Sequence, residues 1–496
     1  MHIKSNQDEI QSYLTDASYM RGGHADQLVF PESVTDVSSV LTDANQRSTP
    51  VTISGAGTGT VGGRVAFGGI VLAMDRLNAI KSIVRDSNGH GHAVVEPGVV
   101  LGGFQKAVER EDLLYPPDPT ERGCFIGGNV ATNASGARTF KYGPTRNYIN
   151  RLKIVLADGE LVELRRGDLK AGEDGSISIP LTSGRVIEAE LPHYKMPNTR
   201  KNATGYFVRP EMDLVDLFIG SEGTLGVVVE IETRLLPKPA GLLSGVVFFE
   251  TENDVLAFVA DARAQSFAHR ASSQLDKLDA RALEFFDRES LGFLREKYPN
   301  VPENAVSAVF FEQEISAASE DSLLTDWMSL LEKHHAFADS WFATNEQDQA
   351  KLREFRHQLP VLMNEWFARY EQRKVSTDMA VPDEEFAGMF RLYQDTLRAS
   401  GLRYTIFGHI GDNHVHVNIL PRDDVEGARA REFYVQFLKY AAAHGGTLSA
   451  EHGVGKLKRD YLKIFFSDTD LREMALLKRA FDPKGILGRG NIFDVV

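Results

Sequence analysis

The feature that most constrains this chain is a loop of small residues, Gly55-Ala56-Gly57-Thr58-Gly59-Thr60-Val61-Gly62-Gly63, set between two apolar runs at 51–54 and 69–74. Gly57, Gly59 and Gly62 satisfy GxGxxG, and Asp75 stands at a spacing suited to a ribose-binding acid. A dinucleotide-binding βαβ unit is therefore the first reading to test. It fails on context. Such a loop must open a helix whose N-terminus holds the pyrophosphate, whereas residues 64–69 lead straight into the next strand. A bare glycine loop between strands can still cradle an anion, because glycine permits positive φ and close approach of N–H groups. For the loop taken alone, a purely structural turn is an equal reading.

Two more segments of the same texture follow. One runs Tyr115-Pro116-Pro117-Asp118-Pro119-Thr120 and continues through Ile126-Gly127-Gly128-Asn129-Val130-Ala131-Thr132-Asn133-Ala134-Ser135-Gly136. The other is Phe218-Ile219-Gly220-Ser221-Glu222-Gly223-Thr224-Leu225-Gly226-Val227. Small residues and hydroxyls at this density suit a long ligand lying against backbone. Around them, short strands and helices (35–46, 101–111) interleave, so this half reads as α+β. After Pro237-Lys238-Pro239 the texture changes: strands at 244–250, 305–314, 403–408 and 414–420 alternate with amphipathic helices at 320–334 and 426–444. That pattern predicts an antiparallel sheet with helices segregated to one face. The chain then divides into a helical segment 1–30, a ligand-binding domain 31–239, a second domain 240–449 and a helical C-terminal segment 450–496.

Composition removes several classes of function. A net charge of -14 lacks the basic footprint of non-specific nucleic-acid binding. One cysteine, Cys124, rules out an intrachain disulfide framework or a multi-thiolate metal site within the chain. The first residues carry no apolar core of the signal-peptide kind and no later stretch is long enough to span a bilayer, which makes the cytoplasm the simplest expected home, without direct membrane insertion.

The densest chemistry lies in Gly408-His409-Ile410-Gly411-Asp412-Asn413-His414-Val415-His416-Val417-Asn418. If 414–420 is a strand, period two puts His414, His416 and Asn418 on one face, and His409 can fold back to join them. Downstream, Glu451 and His452 stand at a corner flanked by Gly453 and Gly455. Two imidazoles and a carboxylate make a divalent-metal site with open positions, Zn2+ first and Mn2+ or Co2+ as alternatives.

Taken together, these segments resemble the FAD-linked oxidoreductases of the vanillyl-alcohol oxidase and p-cresol methylhydroxylase type. Within that superfamily they are most similar to the branch of D-lactate dehydrogenase, D-2-hydroxyglutarate dehydrogenase and the glycolate oxidase flavin subunit. The resemblance spans 31–493 and implies a two-part FAD-binding domain plus a helix-covered antiparallel substrate domain. It implies that Gly55, Gly57, Thr58, Gly59 and Gly62 wrap the pyrophosphate. Pro117, Asp118, Thr120, Gly127, Gly128, Asn129, Thr132 and Gly136 are expected along the flavin, with Glu222, Gly223 and Val227 on a further flavin loop. The first loop has no His or Cys, and Cys124 sits in no recognised linkage pattern, so the FAD is expected to be non-covalent.

The same resemblance implies His409, His416 and Glu451 as metal ligands and His452 as the catalytic base. Arg356, Lys374, Asn418 and Asn491 are expected at the substrate, Lys374 less securely because its spacing to Asp378 differs. The family carries Gly and Asn where this chain has Asn413 and His414, which leaves His414 open as a spare ligand, a partner behind the ligands or a surface residue, with the last two preferred. The implied reaction is oxidation of a D-2-hydroxy acid (D-lactate, D-2-hydroxyglutarate, glycolate or similar) to the 2-keto acid. The metal assists deprotonation of the hydroxyl, and hydride passes to flavin N5. The electron acceptor is left open among quinone, cytochrome, electron-transfer flavoprotein and iron-sulfur protein, and a homodimer is allowed. Rival readings are an ether-lipid synthase-like flavoenzyme and, were no flavin bound, a zinc hydrolase.

Overall fold

The computed structural model describes residues 1–274 and 276–494. Three large sheets organise it, beside a two-stranded antiparallel hairpin of Ser176–Pro180 and Val186–Glu190. The first has strand order His2–Lys4, Gln27–Phe30, Ile70–Ala73, Val51–Ser54. Its last three strands are parallel, and the helix Val34–Arg47 forms the crossover between Gln27–Phe30 and Val51–Ser54. Ser33 caps that helix by accepting from the Asp36 amide at 3.1 Å, and Val37, Leu41 and Ala44 pack inward at helical spacing. Residues 1–30, expected to be helical, instead give two strands to this sheet, His2–Lys4 and Gln27–Phe30, which pair in register through Ile3 and Val29; only residues 7–13 are helical there.

The second sheet is antiparallel: Ile80–Arg85, Gly91–Val95, Val227–Pro237, Ile149–Val155, Leu161–Arg165. Between its strands run the small-residue segments 115–136 and 218–227.

The third sheet is a seven-stranded antiparallel array ordered Trp341–Ala343, Gly241–Phe249, Ser307–Ile315, Ala280–Asp287, Tyr404–Gly408, His416–Ile419, Val375–Ser376. Its helices cover both faces rather than one. Val247, Phe249, Phe285 and Phe311 pack with Phe258 and Trp327 of the helices Glu252–Ala271 and Glu320–Lys333. Their neighbours Val246, Phe248, Phe286 and Phe310 pack on the opposite side with Phe355, Leu359 and Met363 of the helix Glu346–Tyr370. Strands sandwiched in this way bury both sets of alternate side chains, which is why they read as continuous apolar runs and carry no one-sided signal.

The chain end crosses back to the first sheet. The Val51 amide donates to the Ile486 carbonyl at 2.8 Å and the Gly488 amide to the Val51 carbonyl at 2.9 Å. Residues 450–492 thus bring the Glu451-His452 corner against the glycine loops. No helix among the described residues is long and apolar enough to cross a membrane.

Candidate active site

One cavity of about 490 Å³ lies between the glycine loops and the seven-stranded sheet. Along its first wall stand Gly55, Gly57, Thr58 and Gly59. Gly57 has φ +81, in the left-handed region that favours glycine. A Cβ there would come within 2.5 Å of Arg64 Cζ, whose guanidinium is tucked beneath the loop and donates to the carbonyls of Gly55 (2.8 Å) and Thr15 (2.8 Å). At Gly59 and Gly128, both lining the cavity, nothing lies within 4 Å of where a Cβ would be. The missing side chains leave backbone facing open space, the cradle a flat ligand needs. Asp75, the acid that a Rossmann reading would need, is instead bonded by the Tyr13 hydroxyl at 2.8 Å and does not line the cavity.

The second wall carries Thr120, Gly127, Gly128, Asn129 and Thr132. Asn129 accepts from the Cys124 thiol at 3.1 Å through Oδ1, and its buried Nδ2 has no partner. A buried amide donor without an acceptor is costly, so this orphan marks where a ligand oxygen fits. Glu222, Gly223 and Val227 complete the wall, but the Glu222 carboxylate is already engaged. It accepts from the amides of Val454 and Gly455, each at 2.7 Å, and burial pushes its acid up to about 7.

Four expected flavin contacts do not line the cavity: Gly62, Pro117, Asp118 and Gly136. Asp118 belongs to an ion cluster with Arg122 and Arg138, both at 3.2 Å; burial alone would raise its acid, but these guanidiniums hold it near 2. Pro117 offers its carbonyl to Gln105. Gly136 is needed for packing, since a Cβ would meet the Asp118 carbonyl oxygen at 2.1 Å. The Gly62 carbonyl lies 3.4 Å from Lys456 Nζ. Asn491 lines the cavity but is not free to read a substrate. Its Nδ2 donates to the carbonyls of Gly63 and Glu222, and its Oδ1 accepts from Lys456, so it braces the loops.

On the facing wall, His409, His416 and Glu451 converge. Both His409 Nε2 and His416 Nε2 stand 3.2 Å from Glu451 Oε1. Metal–ligand bonds of about 2.0–2.2 Å place neighbouring donors roughly 3.0–3.5 Å apart, so the spacing fits a shared divalent ion. The far ring nitrogens are held as well: His409 Nδ1 lies 2.6 Å from Glu284 Oε1, and His416 Nδ1 lies 3.0 Å from the Thr377 carbonyl. Outer acceptors of this kind fix ring orientation and leave Nε2 for the metal. Glu451 Oε2, turned away, accepts from Ser135 Oγ and from Lys201, each at 3.2 Å, so the carboxylate presents a single oxygen inward.

His414, Asn413 and their neighbours are buried rather than on the surface. The strand begins at His416, two residues later than the alternation predicts, because Asn413 takes a left-handed φ of +54 and ends a short 3-10 turn. His414 Nε2 faces Asp378 Oδ1 at 3.2 Å. Asp378 is a hub: its Oδ2 accepts from Lys458 (2.6 Å), Ser449 (2.5 Å) and the His452 amide (3.1 Å), and it faces His452 Nδ1 at 3.3 Å. The His452 ring lies parallel to that of His416, with centroids 5.3 Å apart, and opens to the cavity.

Arg356, Lys374 and Asn418 line the same cavity. The Arg356 fork is engaged at all three nitrogens: Nε and Nη2 each contact Glu284 Oε2 at 3.0 Å, and Nη1 faces His357 Nε2 at 3.2 Å. Burial would raise the Glu284 acid, yet Arg356 and His409 bring it to about 2. Asn418 Nδ2 is a second buried donor without a partner. Burial lowers the Lys374 ammonium below its ordinary value, with no carboxylate opposing it.

Residues 25–165 match an FAD binding domain, and residues 245–492 match the C-terminal domain of FAD linked oxidases. The glycolate oxidase subunit GlcD of Bacillus subtilis (strain 168) is 30% identical over 491 residues, covering 97% of this chain and 92% of that protein. The chain belongs to the FAD-linked oxidases. Another member, the D-lactate dehydrogenase of Anaerostipes hadrus, is 31% identical over 495 residues, covering 94% of this chain and 89% of the relative. The crystal structure of p-cresol methylhydroxylase with substrate bound superposes with a TM-score of 0.69 at 16% identity, over 99% of this chain and 94% of that one, and shows the shared fold. As a member of this family the chain is an FAD-dependent oxidoreductase.

Glu284, Asp378, Lys201 and Arg64 escaped the sequence reading. Glu284 left one faint signal, an acid set between Leu283 and Phe285 in the buried strand Ala280–Asp287, since a buried carboxylate requires a partner. Lys201 left none, because a lysine in a polar loop is ordinary until the fold buries it.

Proposed function

We propose that this chain oxidises a small D-2-hydroxy acid to the corresponding 2-keto acid, using non-covalent FAD and a divalent metal held by His409, His416 and Glu451. The observation that carries this reading is that an acid-base histidine, two convergent imidazoles with a carboxylate, and an unopposed lysine share one cavity with the glycine loops of the FAD domain. Relatives named for lactate and glycolate chemistry agree with it.

When bound, FAD supplies the two-electron acceptor and the metal supplies Lewis acidity at the hydroxyl. The chain's own residues do the positioning and the proton work. His452 faces Asp378 through Nδ1, so Nε2 is the atom that accepts the hydroxyl proton. Lys374 attracts the substrate's carboxylate, Arg356 adds positive charge to the same cavity from its place against Glu284 and His357, and the orphaned Asn418 amide donates to a substrate oxygen. Asn129 Nδ2 offers an equivalent donor to the flavin. The buried Cys124 thiol, pushed up to about 12 by burial, stays protonated and unreactive, in keeping with a non-covalent flavin.

Two features favour this reading over the rivals. A hydrolase would have no use for the FAD fold, and the convergent His-His-Glu geometry fits a metal that an ether-lipid synthase-like mechanism does not call for. The test is dye reduction by the purified yellow protein with paired D- and L-2-hydroxy acids, before and after chelation. Activity with D-acids that is lost on chelation and restored by metal supports the proposal. Equal rates with chelator, or no reduction with any member of the panel, refutes it.

A further inference from the structure

The cluster contains one more imidazole than the reaction requires. His414 is fully buried; its Nδ1 has no hydrogen-bond partner, and its Nε2 faces only Asp378 Oδ1, at 3.2 Å. Burying a polar ring whose Nδ1 has no partner and whose Nε2 has only the Asp378 carboxylate beside it costs about 1–3 kcal/mol for the unmet group. A well-packed interior rarely keeps such a group without a use.

Its surroundings indicate the use. One donor atom from each of His409, His414, His416 and Glu451 can be chosen so that all lie within 4.8 Å of one another. Two ligands on opposite sides of one ion stand about 4.2 Å apart for bonds near 2.1 Å, so small side-chain rotations bring all four donors onto a common centre. The rings already converge: the His414 centroid is 4.5 Å from that of His416 and 5.4 Å from that of His409. Each ring also has an oxygen behind it, from Glu284 for His409, the Thr377 carbonyl for His416 and Asp378 for His414. That arrangement is the outer support expected of metal-bound imidazoles.

We infer that His414 is a third imidazole ligand, so that the metal centre of this chain is a three-histidine, one-glutamate set. The inference rests on the metal reading proposed above and specifies its ligand number. It has a chemical consequence. Four protein donors fill a tetrahedral Zn2+ shell, whereas an ion that accepts six ligands would keep two places, as many as the hydroxyl and carboxylate oxygens of a 2-hydroxy acid need. The site therefore favours Mn2+, Co2+ or an expanded Zn2+ over four-coordinate Zn2+, which revises the order of metals expected from the sequence.

The test uses the full-length flavoprotein, freed of metal with chelator and reloaded with one equivalent of Zn2+ or Co2+. X-ray absorption at the metal edge should count three imidazoles in the wild type and two in His414→Asn. Competition against a chromogenic chelator should show affinity falling in His414→Asn by at least the 10–100-fold that loss of a supporting partner costs. FAD content and circular dichroism check that the variant is folded; if it is not, the imidazole count in the wild type decides alone. Two imidazoles in the wild type, or unchanged metal affinity in a folded His414→Asn, overturns the inference while leaving the metal reading in place. Failure of the wild type to take up any metal overturns both.

Discussion

Glu284→Gln isolates a group that the sequence hid and the fold made central. Its two oxygens hold His409 Nδ1 at 2.6 Å and the Arg356 guanidinium at 3.0 Å, and it is buried. In the metal-free flavoprotein its acid sits near 2 rather than 4.5, which corresponds to about 3 kcal/mol at roughly 1.4 kcal/mol per tenfold change in protonation. Removing one partner from a buried ion pair costs a similar 3–5 kcal/mol. Because the folded value lies below the unfolded one, this stabilisation is present in full above about pH 4.5 and fades as pH falls towards 2. Denaturant unfolding of the metal-free protein at pH 7 should therefore show the variant less stable by about 3 kcal/mol. The gap between variant and wild type should narrow as the buffer is taken below pH 4. Metal affinity should fall about 10–100-fold through the loss of the carboxylate behind His409. Wild-type stability at pH 7 together with wild-type metal affinity would refute the assigned role of this side chain.

Other outcomes follow from the same geometry. His452→Ala should lower turnover by about two to four orders of magnitude while leaving the flavin spectrum intact, measured by steady-state dye reduction. Asp378→Asn should reduce kcat far more than it raises KM, by on the order of 10²-fold or more, because His452 loses the carboxylate that orients Nδ1; a matched loss in both parameters would argue for substrate binding instead. Gly136→Ala puts a methyl 2.1 Å from the Asp118 carbonyl oxygen, so it should destabilise the fold by about 1–3 kcal/mol and lower FAD occupancy, read by thermal unfolding and absorbance.

Much of this site could be read from the chain before any fold was known, because some physical demands are local. A ligand lying against backbone requires glycine at Gly57, Gly59 and Gly128, and two imidazoles one short turn from each other advertise themselves at His409 and His416. The flavin family and the convergence of His409, His416 and Glu451 are legible for that reason. Errors arose where neighbours in space, absent from the local string, settle a residue's environment. Alternation suggested helices on one face of the large sheet, but Val246 to Phe249 bury both faces. Gly136 and Asp118 lie within the flavin-like motif yet serve packing and an ion cluster.

Local chemistry, then, specified a long ligand lying against backbone and the residues able to bind a metal, since backbone access, imidazole and carboxylate are properties of single residues and short strings; the family resemblance supplied FAD and the class of reaction. Burial and pairing are collective properties that arise when distant segments close on one another. The fold alone assigned Glu284 to His409 and Arg356, Lys201 to Glu451, and Asp378 to His452 and His414, because a charge changes from a solvated surface group to a strong local field only when water has been removed from around it.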